Sequence, residues 1–168
     1  VDQDALKKYE LEQFDQTLTS MLETAKESIV MIFNLKDEND DTLGSGVIYK
    51  QVGTTYYVIT NHHVIDEADE LGVRLRLYGN YFDINDAEIN VIGSDPLNDI
   101  AVITFESDFE LTVMPIAANT TLTVGQRVYA VGHPRGFVHF SSATEGIIGG
   151  LNRTVEFNGI DTLAIQHD

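Results

Sequence analysis

Apolar positions follow two different rhythms along this chain, and the change falls near Glu27. Between Asp4 and about Lys26, Leu11, Phe14, Leu18, Met21 or Leu22, and Ala25 recur at steps of three and four, the repeat of one helical face. Leu6 and Tyr9 extend the stripe, while Glu10, Glu12, Asp15 and Glu23 fall on the opposite side, so the segment predicts one amphipathic helix. Such a stripe packs on its own domain or on a neighbouring subunit. Beyond Glu27 the pattern breaks into short β-rich runs: Ser28–Leu35, Ser45–Tyr49, Thr55–Thr60, Val73–Leu77, Ile89–Ser94, Ala101–Phe105, Arg127–Gly132, Ser142–Ile148 and Thr162–Gln166. Turn residues separate them at Asp37–Asp41, Gln51–Gly53, Gly79-Asn80, Asp95-Pro96 and Gly125. Many short strands with frequent punctuation predict an all-β sandwich or barrel rather than alternating βαβ units. The stretch from Leu111 to Leu122, with Pro115, Asn119 and Thr120, is weakly patterned and marks a boundary between two β units.

Composition narrows the function classes. The 168 residues are 43 % hydrophobic and 22 % charged, which suits a globular domain with its own core. Asp and Glu number 27 against 10 Lys and Arg, a formal charge of −17. That balance repels a phosphate backbone, and the cations Lys7, Lys8, Arg74, Arg76, Arg127, Arg135 and Arg153 are too dispersed to form a polyanion footprint, so no nucleic-acid partner is expected. The absence of cysteine excludes disulfides, thiolate metal sites and Cys nucleophiles. No run approaches the roughly 18 apolar residues of a membrane span, and an export signal or anchor is expected to lie outside these residues.

Two constellations carry candidate chemistry. The first is the apolar run Tyr57-Val58-Ile59-Thr60, which leads through Asn61 into His62, His63 and a short apolar turn at Val64-Ile65. The second is the polar turn Asp95-Pro96-Leu97-Asn98-Asp99, which opens onto the apolar run Ile100-Ala101-Val102-Ile103. An acid at the mouth of a buried strand needs a partner, because desolvating an unpaired carboxylate costs several kcal/mol. Singly, a strand-end His or Asp commonly satisfies turn backbone. Together they suit one chemical role, in which the carboxylate fixes the imidazole tautomer and stabilises the imidazolium formed when the His takes a proton.

With these flanks the chain resembles the trypsin-like serine proteases of the HtrA (DegP-like) group, particularly the Gram-positive bacterial members. The resemblance rests on Gly44-Ser45-Gly46-Val47-Ile48-Tyr49-Lys50, Val58 to Ile65, Asp95 to Val102, Val124 to Gly136, Thr144-Glu145-Gly146-Ile147-Ile148 and Ile165-Gln166-His167-Asp168, which stand in family order. The T-N-x-H-V motif assigns the general base to His63, with His62 at the open position, and the D-I-A motif assigns the orienting acid to Asp99. The resemblance implies two six-stranded antiparallel chymotrypsin-type barrels with the site between them. Residues 1–27 would be the helix, 28–118 the first barrel with His63 and Asp99, and 119–168 the opening strands of the second. His before Asp along the chain agrees with this class rather than with subtilisins or α/β-hydrolases.

The resemblance further implies unfolded or misfolded polypeptides as substrates, a location outside the cytoplasm or at the cell surface, assembly commonly into trimers, and no cofactor. One departure matters. In the family a G-N-S-G-G loop with the nucleophilic Ser and the oxyanion hole follows the Ile-Gln-x-Asp stretch, whereas these residues end at Asp168. Ser45 precedes the His and matches a strand start, and Ser141-Ser142 has no flanking glycines, so neither is read as the nucleophile. These residues alone are therefore expected to be inactive. Strands between Arg127 and Gln166 are expected to present unpaired edges that a downstream protease half or a neighbouring chain covers.

Competing classes remain. A protease-like module that binds peptide or a protein partner without cutting would also lack a nucleophile, and the helix could instead serve a structural subunit. Of the five histidines, His62, His63, His133, His139 and His167, the adjacent His62 and His63 as strand neighbours would point to opposite faces, no H-x-x-x-H or H-E-x-x-H pattern is present, and His133 with His139 lack a carboxylate at a convincing spacing, so no metal site is expected. The turn at His133-Pro134-Arg135-Gly136 resembles the family's G-x-P-x-G, but Pro and Gly suffice to explain it as a tight turn.

Overall fold

A computed structural model describes residues 2–35, 42–77, 79–85, 88–117, 122–133, 142–157 and 159–168. The helix α1 spans Gln3–Glu27, and Asp2 caps it by accepting the Asp4 N–H at 3.0 Å and the Ala5 N–H at 3.4 Å. Only its last turns pack: Leu18, Leu22 and Ala25 are half-buried, while Leu11, Phe14 and Met21 stay exposed. Polar ties reinforce this end, from Arg76 to Glu23 at 3.4 Å and from Thr112 Oγ1 to Glu27 at 3.3 Å.

The strands are β1 (Ile29–Leu35), β2 (Thr42–Val52), β3 (Thr55–Thr60), β4 (Glu70–Leu77), β5 (Asn80–Ile84), β6 (Ile89–Asp95) and β7 (Ile100–Glu106), with the one-turn helix α2 (His62–Ile65) after β3. They form a seven-stranded antiparallel sheet in the order β5-β4-β1-β2-β3-β7-β6. Alternation explains it. On β3 Tyr56, Val58 and Thr60 face in, and on β4 Leu71, Val73, Leu75 and Leu77 do so. They meet Val30, Ile32, Ile48, Ala101, Ile103 and Phe105 in one core. Tyr56 stacks on Phe105 at 6.0 Å and its hydroxyl accepts the Leu111 N–H while donating to the Phe109 carbonyl, both at 3.1 Å, which pins the connection that leaves the sheet.

A second sheet holds β8 (Arg127–Gly132), β9 (Ser142–Phe157) and β10 (Ile160–His167) in the order β10-β9-β8. It joins the first where the His133 N–H donates to Ser45 Oγ at 2.9 Å. Two antiparallel sheets and one N-terminal helix are therefore the architecture of the described residues, in agreement with the all-β expectation.

Three details differ from the expectations raised by the sequence. The first sheet has seven strands rather than six: β5 forms a hairpin with β4 through Gly79 (φ 80°), and Arg74 pairs with Asp83 at 2.6 Å across it. Strand β9 runs well past Ile148, because pairing with β10 carries Arg153, Thr154 and Val155 in extended conformation although their pattern does not alternate. His62 and His63 lie on a helical turn rather than on a strand.

Candidate active site

Helix α2 is held from beneath. Val64 and Ile65 enter the core, and the buried Asn34 of β1 donates from Nδ2 to the carbonyls of Val64 at 3.1 Å and Asp66 at 2.9 Å. Gly44 faces Val64 so closely that any side chain at 44 would displace it. Before the helix, Thr60 Oγ1 donates to the Ser45 carbonyl at 2.8 Å, so β3 enters α2 in a fixed direction. Asn61 makes no side-chain cap for α2; its Nδ2 donates instead to the Asp99 carbonyl at 2.9 Å.

Asp99 stands on the turn between β6 and β7. Asp95 shapes that turn by accepting the N–H groups of Leu97 at 3.0 Å and Asn98 at 3.2 Å on Oδ1, and the Asn98 side chain at 2.7 Å on Oδ2. Asp99 itself has φ 53°, the left-handed region that Asp tolerates better than most residues.

The two segments meet in a two-point contact. The His63 backbone N–H donates to Asp99 Oδ1 at 2.8 Å, and His63 Nδ1 lies 2.7 Å from Asp99 Oδ2. Burial of Asp99 works against its charge, but the backbone N–H and ring of His63 outweigh it, and the charges of His63 and His62 assist, so the carboxyl sits below the usual carboxylate range. An ionised carboxylate only accepts, hence Nδ1 carries the proton and Nε2 is left as the basic nitrogen. The exposures match these roles: the His63 side chain is 69 % exposed and that of Asp99 13 %. A rigid, outward imidazole backed by a carboxylate can take a proton from a hydroxyl and return it to a leaving group.

Other sequence candidates are placed elsewhere. The His62 and His63 rings diverge, but not by strand alternation: on the α2 turn His62 Nδ1 approaches Ser94 Oγ at 2.6 Å, while His63 turns to Asp99. Ser45 Oγ accepts the His133 N–H at the junction of the sheets and lines a cleft of about 410 Å³ with Ala130, Gly132, Ser142 and Thr144. His133 is buried, and burial lowers its imidazole to about 4, against a hydrogen bond to the Ile29 backbone that raises it. Pro134, Arg135, Gly136, His139 and Ser141 lie outside the described residues. Among the described residues no three His, Asp or Glu side chains converge as a metal site, and no helix is long and apolar enough to cross a membrane. Sequence reasoning missed Asn34 and Ser94. A polar amide in the apolar run Ile29–Leu35 was a signal for the first, since a buried amide needs partners; nothing local singles out Ser94.

Comparison with known proteins places the chain in a family. The trypsin-like peptidase domain family matches residues 44–168, and the chain belongs to that family. Within it the relatives are HtrA-type serine proteases. The chain is 31 % identical over 157 residues to the serine protease Do-like HtrA of Bacillus subtilis, covering 84 % of this chain and 34 % of the relative. It is 35 % identical over 136 residues to the serine protease HtrA-like of Staphylococcus aureus, covering 79 % of this chain and 16 % of the relative. The crystal structure of the serine endoprotease from Yersinia pestis superposes with a TM-score of 0.63 at 32 % identity, over 77 % of this chain and 43 % of that one. The chain thus spans about a third or less of the length of these curated relatives.

Proposed function

We propose that this chain carries the general base and the orienting acid of an HtrA-type serine endopeptidase, with His63 as the base and Asp99 as the acid. The observation that supports this most is the two-point contact of His63 with Asp99, at 2.8 and 2.7 Å, with the imidazole facing solvent. Nε2 of His63 takes the proton of a serine hydroxyl as its oxygen attacks the scissile carbonyl. The tetrahedral intermediate collapses when that proton passes to the leaving amine, and Asp99 holds the ring and stabilises its charged form throughout. No serine within the 168 residues stands in a glycine-flanked loop after Asp99, so the nucleophile and oxyanion hole come from polypeptide beyond these residues, and these residues alone do not cleave.

The helix at 1–27, the unit at 28–118 and the unit at 119–168 form the proposed division, the middle one holding the pair. Unfolded polypeptide is the proposed substrate, a trimer the proposed assembly, and the outside of the cytoplasm or the cell surface the proposed location. The test is cleavage of a denatured protein by the product of the natural gene. Asp99→Asn is expected to lower kcat by about 10⁴, and His63→Ala by about 10⁶. Unchanged cleavage in both variants overturns the assignment. Absence of any cleavage, with peptide still bound, selects a module that binds without cutting.

A further inference from the structure

We infer that His62 is a positioning residue, bracing the turn that carries Asp99 against the helical turn that carries His63. The inference rests on the reading of His63 and Asp99 as base and acid, and it concerns the position that the family motif leaves open. His62 opens α2 beside His63, and its ring is only 21 % exposed against 69 % for its neighbour. Nδ1 lies 2.6 Å from Ser94 Oγ, and Nε2 faces Asp66 Oδ1 at 3.5 Å. Ser94 pairs with Ala101, one rung before the closing pair Asp95–Ile100 of the β6–β7 ladder, so it stands directly before the residue that opens the turn of Asp95 to Asp99.

That turn needs external ties. Leu97 is 56 % exposed, Pro96 and Asn98 are exposed, and Asp99 holds φ 53°, a conformation disfavoured for an L residue. The bonds of Asp95 shape the turn internally without joining it to α2. Among the described residues, two side chains besides the His63–Asp99 contact make the connection: Asn61 grips the Asp99 carbonyl at the end of the turn, and His62 grips Ser94 before it. The residues immediately preceding the base thus hold both ends of the segment that presents the acid. The brace serves in either protonation state, because a serine hydroxyl donates to a bare Nδ1 and accepts from a protonated one.

Amide exchange and the proton spectrum of the full 168-residue chain test this. The His63 N–H and the His63 Nδ1–H both bond Asp99, so each reports how firmly the turn is held. In Ser94→Ala and His62→Leu the His63 amide is expected to exchange roughly fivefold faster, the worth of one net hydrogen bond, and the downfield ring proton to broaden. His62→Asn places an amide near the position of Nδ1 and should restore both signals; His62→Gln mimics Nε2 and should not. Unchanged amides at Val58 and Ile103 show that the core is intact, and if His62→Leu fails to fold, Ser94→Ala decides. Wild-type signals in both Ser94→Ala and His62→Leu overturn the brace. An Asp99→Asn control that leaves the signals unchanged overturns instead the reading of the pair itself.

Discussion

The two sheets of this molecule bury their apolar residues very differently. In the first, Val30, Ile32, Ile48, Val58, Val73 and Ile103 are all fully buried, whereas in the second Ile147, Val155, Leu163 and Ile165 are between 43 and 70 % exposed and Ile148 is the buried aliphatic side chain among the described residues of its strands. A sheet with one finished core holds α2 and Asp99 to fixed positions. A sheet whose apolar face stands open offers an exposed row and an edge of the kind that invite a cover. The candidate base and acid stand wholly on the finished side, so their geometry rests on that core.

Core truncation should break the symmetry between the sheets most visibly. Ile103→Ala is expected to cost about 3 kcal/mol in urea unfolding, while Ile165→Ala, already half in water, costs less than about 1 kcal/mol. Equal losses would mean that the second sheet has a core of its own. Asn34→Ala comes next: it leaves the carbonyls of Val64 and Asp66 without their buried donor, with an expected loss of about 2 kcal/mol and faster exchange at the His63 amide. A loss of stability without a change at His63 would detach Asn34 from the site.

Acid should act at the joint between the sheets. His133 titrates at about 4 when folded and at about 6.5 when unfolded, so between these values the unfolded chain binds the proton first. Its contribution is full above about pH 6.5 and is lost as pH falls toward 4, by about 1 kcal/mol per pH unit. In His133→Gln the slope of stability against pH in that window is expected to shrink. Asp99, whose carboxyl is lowered rather than raised, keeps its stabilisation above the ordinary carboxylate range and loses it only in stronger acid. The smallest effect concerns the open face: Leu163→Ser with Ile165→Ser should change unfolding by less than about 0.5 kcal/mol and raise solubility, and a large loss would mean that this face is covered within the chain.

Much of the fold was legible because the first sheet obeys the period of two. Tyr56, Val58 and Thr60, or Leu71 to Leu77, alternate as a half-buried strand must. Where tertiary pairing overrides pattern, legibility fails. Strand β5 exists through its pairing with β4 and the Arg74–Asp83 bridge, and the far half of β9 through β10. At the candidate site, the pairing of His63 with Asp99 was expected from two motifs, since each ends or opens an apolar run, and the two side chains do meet. The contacts around them were not, because Asn34 lies 30 residues from Val64 and Ser94 lies 32 from His62, the groups they bond. Sequence spacing also misled for His62 and His63: a helical turn, not a strand, separates their rings.

The most direct test of the central claim is fluorophosphonate labelling, with peptide mapping, of the protein made from its natural gene, compared between wild type and His63→Ala. The account predicts label on one serine that follows Asp168 in the chain, and its loss in the variant, because the hydroxyl then has no base. Equal labelling of both proteins, or none on a folded wild type, would contradict it.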